Sequence, residues 1–358
     1  MELKDLAAEA AEQNASDIFL KAGLPPMVRL DGKVRVLESD PISFPVLAYD
    51  DVNRMAAEIM TEDQMAQFGM RHEMDLAFAI DGVARFRANI YRQRGTTGIV
   101  LRIIPLDIYT LEDLSMPKVL SELARQRQGL ILVTGPTGCG KSTTLAAMID
   151  LINTNRRCNI VTVEDPIEFV HEDKKAIINQ REIGIDTDSF TDALKFVVRQ
   201  SPDVILIGEM RDTETMTVAL QAAETGHLVF STVHTCSAAE TMDRIINMFP
   251  PHQKEQICMR MSVSLKGIVS QKLLPKVGEP GRVAAVEIMI ANPTISKLVE
   301  EGRSGQLYGA IAEGDFWGMQ TMNQSLLKHF KAGTVSEEEA LANAGNVTEL
   351  KQMMRRPS

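Results

Sequence analysis

The sequence predicts an α/β protein of two domains: a small α+β domain, then a parallel sheet covered by helices on both faces, closing on a run of short helices. Three observations carry that prediction. With 358 residues, 44% of them hydrophobic and 24% charged, the chain is ordinary globular material with room for about two domains at roughly 150 residues each. Between residues 129 and 232, continuous Val, Ile and Leu runs alternate with amphipathic stretches, as strands covered on both faces of a parallel sheet do. Directly after the first of those runs stands GPTGCGKS at 135–142, which meets the pattern of a phosphate-binding loop at every fixed position.

Taken in order, residues 3–13 put Leu3, Leu6, Ala7 and Ala10 on one stripe and predict a helix. Strands are expected over 17–21, 27–30, 34–37, 75–80, 84–91 and 97–103, with turn signals at Asp31-Gly32 and Asp81-Gly82 and one helical period over 51–68. Asp81-Gly82 is expected to join 78–80 to 83–86 through a type I′ turn. Two prolines and little periodicity mark 105–117 as a linker, which sets a first domain at 1–104 and a core at 118–291. In that core, strands are expected over 130–134, 160–163, 204–207 and 228–232, with helices from 141, over 188–199 and over 213–225. Residues 292–358 read as about four short helices, with Trp317 as a packing anchor and Lys351, Arg355 and Arg356 on a solvated face. The 20 methionines read as flexible core filler, with Met242, Met248, Met259 and Met261 the candidates for an interface.

Composition excludes several classes of function. A net charge of −10 argues against a protein that gains its affinity by neutralising nucleic-acid phosphates. No uncharged run approaches the length of a membrane span, and the first residues are too acidic for a signal peptide, so a cytoplasmic protein is expected. Cys139, Cys158, Cys236 and Cys258 form no C-x-x-C pair, which leaves free thiols and no thiolate zinc site.

In the loop at 135–142, glycines allow successive backbone N–H groups to converge on an anion, and the following helix adds its positive end. Lys141 is the candidate for the β- and γ-phosphates of ATP, and Ser142 for a Mg²⁺ ion. Thr137, Gly138, Cys139, Gly140 and Thr143 complete the cradle. Hydrolysis also needs acids to hold the metal and to take a proton from water. The run 204–207 ends in Gly208-Glu209, and the run 160–163 ends in Glu164-Asp165-Pro166-Ile167-Glu168. Both fall at the carboxyl edge of the sheet, where open α/β folds bind ligands. His227 and His234 bracket the run 228–232, and the second shares the edge with Glu209.

Together these segments resemble the type IV pilus retraction ATPases, the PilT/PilU branch of the secretion superfamily ATPases. The resemblance runs through ASDIFL at 15–20, ARFRANIYRQRG at 84–95, VEDPIEFVH at 163–171, PDVILIGEMRD at 202–212 and AAETGHLVFSTVHT at 222–235. The last three are similar to the family's Asp box, Walker B and His box. The resemblance implies a PAS-like first domain joined to a RecA-like ATPase core with a helical C-terminal subdomain over 292–358. It also implies a homohexamer that removes pilin subunits and drives twitching motility. Such a ring would lie at the cytoplasmic face of the inner membrane, against an integral-membrane platform protein and beside a second retraction ATPase. By position Glu164 matches the catalytic glutamate, Glu209 the Walker B glutamate and a Mg²⁺ ligand beside Ser142, and His227 and His234 the His box. Arg87 and Arg102 match arginines that the family sends to the nucleotide, with Arg85 and Arg94 as neighbours.

Four positions depart from the family pattern. Phe19 stands for a histidine, Cys139 for the usual P-loop serine and Ser231 for a common glycine. At 294–301 the motif AIRNLIRE becomes TISKLVEE, which keeps the apolar spacing and loses both arginines. That change keeps open an accessory or specialised paralogue. Pilus extension and type II secretion ATPases are a further reading, although the zinc-binding tetracysteine motif they carry is missing. An assembly subunit that binds nucleotide with little turnover is the reading from another class.

Overall fold

The computed structural model describes residues 2–30, 32–39, 42–104, 108–278 and 281–355. Asp31 of the first expected turn, Pro105 at the head of the expected linker, and Arg356 lie outside them. The chain divides into two units, Met1–Asp107 and Ile108–Ser358.

The first unit opens with α1 (Leu3–Glu12), whose buried residues are Leu3, Leu6, Ala7 and Ala10. Strands β1 (Asp17–Lys21), β2 (Met27–Leu30) and β3 (Lys33–Val36) follow, then a two-residue ladder of β4 (Glu38–Ser39) with β5 (Ile42–Ser43). Helices α2 (Tyr49–Ile59) and α3 (Glu62–Arg71) precede β6 (Glu73–Ile80), β7 (Ala84–Gln93) and β8 (Thr96–Ile104). The six longer strands form an antiparallel sheet in the order β3-β2-β1-β8-β7-β6.

Two sequence expectations are corrected here. The single helical period over 51–68 is broken at Thr61, whose hydroxyl accepts from the Gln64 amide while the Gln64 side chain accepts from Thr61 N, a reciprocal cap that starts a new helix. The β6–β7 hairpin pairs Ile80 with Ala84 across a three-residue loop, so the turn is not type I′. Val83 N closes the 80–83 turn on the Ile80 carbonyl (3.0 Å), and of its central residues only Gly82 takes positive φ (+74°), as the third position of a type II turn requires.

The first sheet keeps its two faces distinct because side chains alternate along each strand. Ile18, Leu20, Val28, Phe86, Ala88, Ile90 and Leu101 share one core with the helices. Across the opposite face run Arg29, Asp17, Arg102 and Arg87, register partners on β2, β1, β8 and β7.

The second unit begins with turns and α4 (Val119–Ala124), then β9 (Gly129–Thr134), α5 (Lys141–Asn155), β10 (Asn159–Glu164), β11 (Ile177–Glu182) and α6 (Phe190–Val197). It continues through β12 (Val204–Ile207), α7 (Thr213–Glu224), β13 (Leu228–Val233), α8 (Ala238–Met248), α9 (Lys254–Ser264), β14 (Leu265–Pro275) and β15 (Arg282–Ile290). The sheet order is β11-β10-β12-β13-β9-β14-β15, parallel except for β15. Every residue of β9, β12 and β13 is buried. Leu130 and Leu132 face the core shared with α6, α7, α8 and α9, while Ile131 and Val133 face the one shared with α4 and α5. That is the double covering the apolar runs require.

The stretch expected as a linker belongs in part to this unit. Leu111 is buried in its core, with Leu114 and Met116 packed beside it, so 108–117 is held by apolar contact. Helices α10 (Pro293–Glu300), α11 (Leu307–Ala312), α12 (Met322–Lys331), α13 (Glu337–Ala342) and α14 (Val347–Arg355) complete it. On α10, Ile295 and Val299 are buried, as the apolar spacing at 294–301 predicts. Trp317 is no packing anchor: it is 47% exposed, edge-to-face against a Phe316 that is 90% exposed. Of the four interface-candidate methionines, Met242 and Met261 are core residues and Met259 is exposed.

Candidate functional site

Strand β9 lies between β13 and β14, and its carboxyl end passes directly into the phosphate loop. Two glycines are required there. A Cβ on Gly135 (φ +144°) would lie 2.4 Å from the Gln271 carbonyl oxygen, and Gly140 (φ +88°) caps α5 in the left-handed region. Lys141 opens α5 and is buried, with Nζ donating to the carbonyls of Gly135 (2.9 Å) and Pro136 (3.1 Å). The ammonium is thus held over the loop, beside the α5 N-terminus. Ser142 and Thr143 sit half-buried in the first turn, and Thr137 and Gly138 are exposed on the loop. Cys139 is buried, and burial pushes its thiol up, so the departure from serine leaves an inert side chain and an intact backbone.

Gln271 on β14 was not singled out from sequence. Its Nε2 donates to the Cys139 carbonyl (2.6 Å), and its Oε1 accepts from Thr144 Oγ1 (2.9 Å). One buried amide therefore stitches the loop to the helix it feeds. Gln271→Leu should weaken ATP binding by about 10-fold and lower stability by about 1–3 kcal/mol, since two buried partners are left unpaired. Equilibrium titration with a fluorescent ATP analogue and a thermal melt measure both, and native-like affinity would remove Gln271 from the cradle.

Both acids stand at the carboxyl edge. Glu164 Oε1 accepts from Thr162 Oγ1 (2.6 Å) and Gln180 Nε2 (3.2 Å). Burial holds its carboxyl above the usual range, partly offset by the Thr162 and Gln180 side chains and the Glu168 amide. Glu209 pairs with Arg211 Nη2 at 2.6 Å and His234 Nε2 at 3.4 Å. Burial raises Glu209, but Arg211, His234 and Lys141 outweigh it and keep the group ionised. Burial, then Lys141, lowers His234, so its ring is neutral near pH 7. Lys141 Nζ lies 3.5 Å from His234 Nδ1, which fixes Nδ1 as acceptor and Nε2–H as donor to Glu209. The chain Lys141–His234–Glu209–Arg211 links the loop to the second acid. The Ser142 hydroxyl and Glu209 carboxylate are hard oxygen donors of the kind Mg²⁺ takes.

His227 is not gathered into this cluster. It precedes β13 at the amino end, a strand length from His234, and its Nδ1 hydrogen-bonds the Ala222 carbonyl near the end of α7 (2.9 Å). Ser231 hydrogen-bonds the Ile207 carbonyl (2.8 Å), so the hydroxyl is satisfied. Buried Glu287, also unmarked in the sequence, accepts from the Ala238 amide (2.8 Å) at the start of α8, just beyond the His234 loop.

In the first unit, Arg102 Nε pairs with Asp17 Oδ1 (3.1 Å) and Arg29 Nε with Asp17 Oδ2 (3.2 Å). Arg87 is exposed and stands directly opposite Arg102. Phe19, the position of the expected histidine, has the Arg29 guanidinium over its ring at 5.3 Å. Like charges facing each other across a ladder are destabilising unless something anionic offsets them.

Residues 2–342 match the family model described as type II/IV secretion system protein. The chain is 47% identical over 344 residues to the type IV pilus retractation ATPase PilT of Pseudomonas aeruginosa, covering 96% of this chain and 98% of that one. It is 43% identical to a twitching motility protein of Neisseria gonorrhoeae, covering 93% of this chain and 88% of that one. Among solved structures it is similar to the pilus retraction motor PilT with bound ADP, with a TM-score of 0.91, 44% identity, and coverage of 99% of this chain and 100% of that one.

Proposed function

The chain belongs to the type II/IV secretion system protein family, and from that premise we propose that it is a pilus-retraction motor driven by ATP hydrolysis. The observation that carries this reading is the alignment of Lys141, His234 and Glu209 along one sheet edge, in a chain matching a pilus retraction ATPase over nearly its whole length.

The residues divide the work by their chemistry. Lys141 exchanges its carbonyl partners for the β- and γ-phosphate oxygens of ATP, and the amides of 137–143 supply donors at the positive end of α5. Glu164 takes the proton from the attacking water, a task suited to a carboxyl whose basicity burial has raised. Ser142 and Glu209 hold Mg²⁺, which when bound neutralises phosphate charge. His234 joins Lys141 to Glu209 and so couples the loop to the second acid. Arg87 and Arg102 offer guanidinium groups to the phosphates, for which bidentate binding and permanent charge suit them.

The motor is a homohexamer working against an integral-membrane platform protein at the cytoplasmic face of the inner membrane. No helix among the described residues is long and apolar enough to cross a membrane. On α10 the polar face carries Lys297, Glu300 and Glu301, with Lys297 paired to both acids (3.2 and 3.5 Å). Two of the three charges are acidic, which favours a second reading as an accessory motor beside another retraction ATPase. Expression in a strain lacking every retraction ATPase separates the two. Full recovery of twitching zones and normal surface piliation is the expected result, whereas recovery only alongside a second ATPase establishes the accessory role.

A further inference from the structure

We infer that Gln180 is a positioning residue that aims the Glu164 carboxylate and locks it to the loop 166–171. The inference rests on the reading of Glu164 as the base.

Gln180 lies on the edge strand β11, in register with Thr162 on β10, so Thr162, Glu164, Gln180 and Glu182 share one face of the sheet. Its amide is spoken for on every side. Nε2 donates to Glu164 Oε1 (3.2 Å) and the Phe169 carbonyl (2.8 Å), and Oε1 accepts from the His171 amide (2.8 Å). The opposite flip would turn the oxygen toward a carbonyl and a carboxylate, and the NH₂ toward an N–H, so the partners fix the orientation. Glu182, two residues on, accepts from the Ile167 amide (3.2 Å) and pins the other end of the same loop.

The consequence for Glu164 is directional. Thr162 and Gln180 both donate to Oε1, and the amide of Glu168, on the loop itself, also reaches the carboxyl, so its rotation is fixed from the strand and from the loop. Thr162 lies on the same strand and cannot sense the loop. Gln180 can, because its remaining bonds all go there. A shift of the loop therefore shifts the aim of Glu164, and misplacement by about 1 Å costs on the order of 10²-fold in rate. Among the described residues the Gln180 side chain bonds to Glu164, Phe169 and His171 and not to the phosphate cradle, so substrate affinity should not change with it.

The test is steady-state ATP hydrolysis by the full chain carrying Gln180→Leu, Gln180→Glu, Glu164→Gln, or Glu164→Gln together with Gln180→Leu. Gln180→Leu should lower kcat by about 10- to 100-fold with KM within about twofold. Gln180→Glu keeps the size of the side chain and its acceptor for His171 N, and brings a second carboxylate to Glu164; it should lose as much, even if the leucine variant folds poorly. In the Glu164→Gln background, Gln180→Leu should change the residual rate by less than about twofold, because the two act as a unit. Native kcat in both Gln180 variants, a rise in KM equal to the fall in kcat, or an undiminished Gln180→Leu effect in the double variant would overturn the inference while leaving Glu164 as the base. Native turnover by Glu164→Gln alone would instead remove the base, and this inference with it.

Discussion

Glu164→Gln is expected to bind ATP as tightly as the native chain and to hydrolyse it about 10²- to 10⁴-fold more slowly, the range a positioned general base contributes. The amide keeps the size of the side chain and can be held by the same neighbours, so the loop and Lys141 are untouched. What it cannot do is accept a proton. The native rate should also fall as pH drops through the Glu164 pKa. Because burial holds that value above the ordinary carboxylate range, the acid limb should begin nearer neutrality than an exposed glutamate would place it. Lys141→Ala gives the complementary pattern, with affinity lost together with rate, since the ammonium anchors phosphate. Filter binding of labelled ATP beside phosphate release distinguishes the two. Unimpaired turnover by Glu164→Gln would transfer the role of base to Glu209.

Replacing Arg87 or Arg102 by alanine is expected to lower kcat on the order of 10³-fold, the scale on which a guanidinium stabilises a phosphoryl transition state. The register of the first sheet supports this. Arg87 and Arg102 stand directly opposite on adjacent strands, an arrangement that costs stability unless an anion is shared. Asp17 supplies one on the β1 side, where it engages Arg102 through Nε (3.1 Å). Lysine should not rescue either position, because a point charge lacks the planar fork. Both alanine variants should melt within about 1 kcal/mol of native stability, since Arg87 and Arg102 are exposed and the buried Asp17 keeps Arg29 as a partner when Arg102 is removed. If each keeps its native rate, the arginine face serves another anion.

How far the sequence could be read depended on which physical signal each residue carried. The parallel core was legible because β9, β12 and β13 are buried on both faces, which leaves continuous apolar runs. The edge strand β11 was not, since it is half solvated and reads INQRE after its first residue. Yet that strand supplies Gln180 and Glu182, which hold the Glu164 loop. Gln271 was hidden for another reason: it contacts Cys139 and Thr144 from more than 120 residues away, and no local pattern encodes such a pairing. Lys141, Glu164, Glu209 and His234 were readable because each follows an apolar run at the carboxyl edge. His227 was read with them as the other half of a pair bracketing 228–232, and the direction of β13 keeps it at the opposite end of the strand from His234. The break at Thr61 was present in the sequence as Thr61 and Gln64, a capping box inside an unbroken helical period.

The central claim, that ATP hydrolysis at this sheet edge drives pilus retraction, is tested most directly by watching single fluorescently labelled pili on cells lacking all retraction ATPases and supplied with this chain. The account predicts that pili shorten under the native chain and stay extended under Glu164→Gln produced at the same level. Pili that remain static with an ATP-hydrolysing native chain, or that shorten equally with Glu164→Gln, would contradict it.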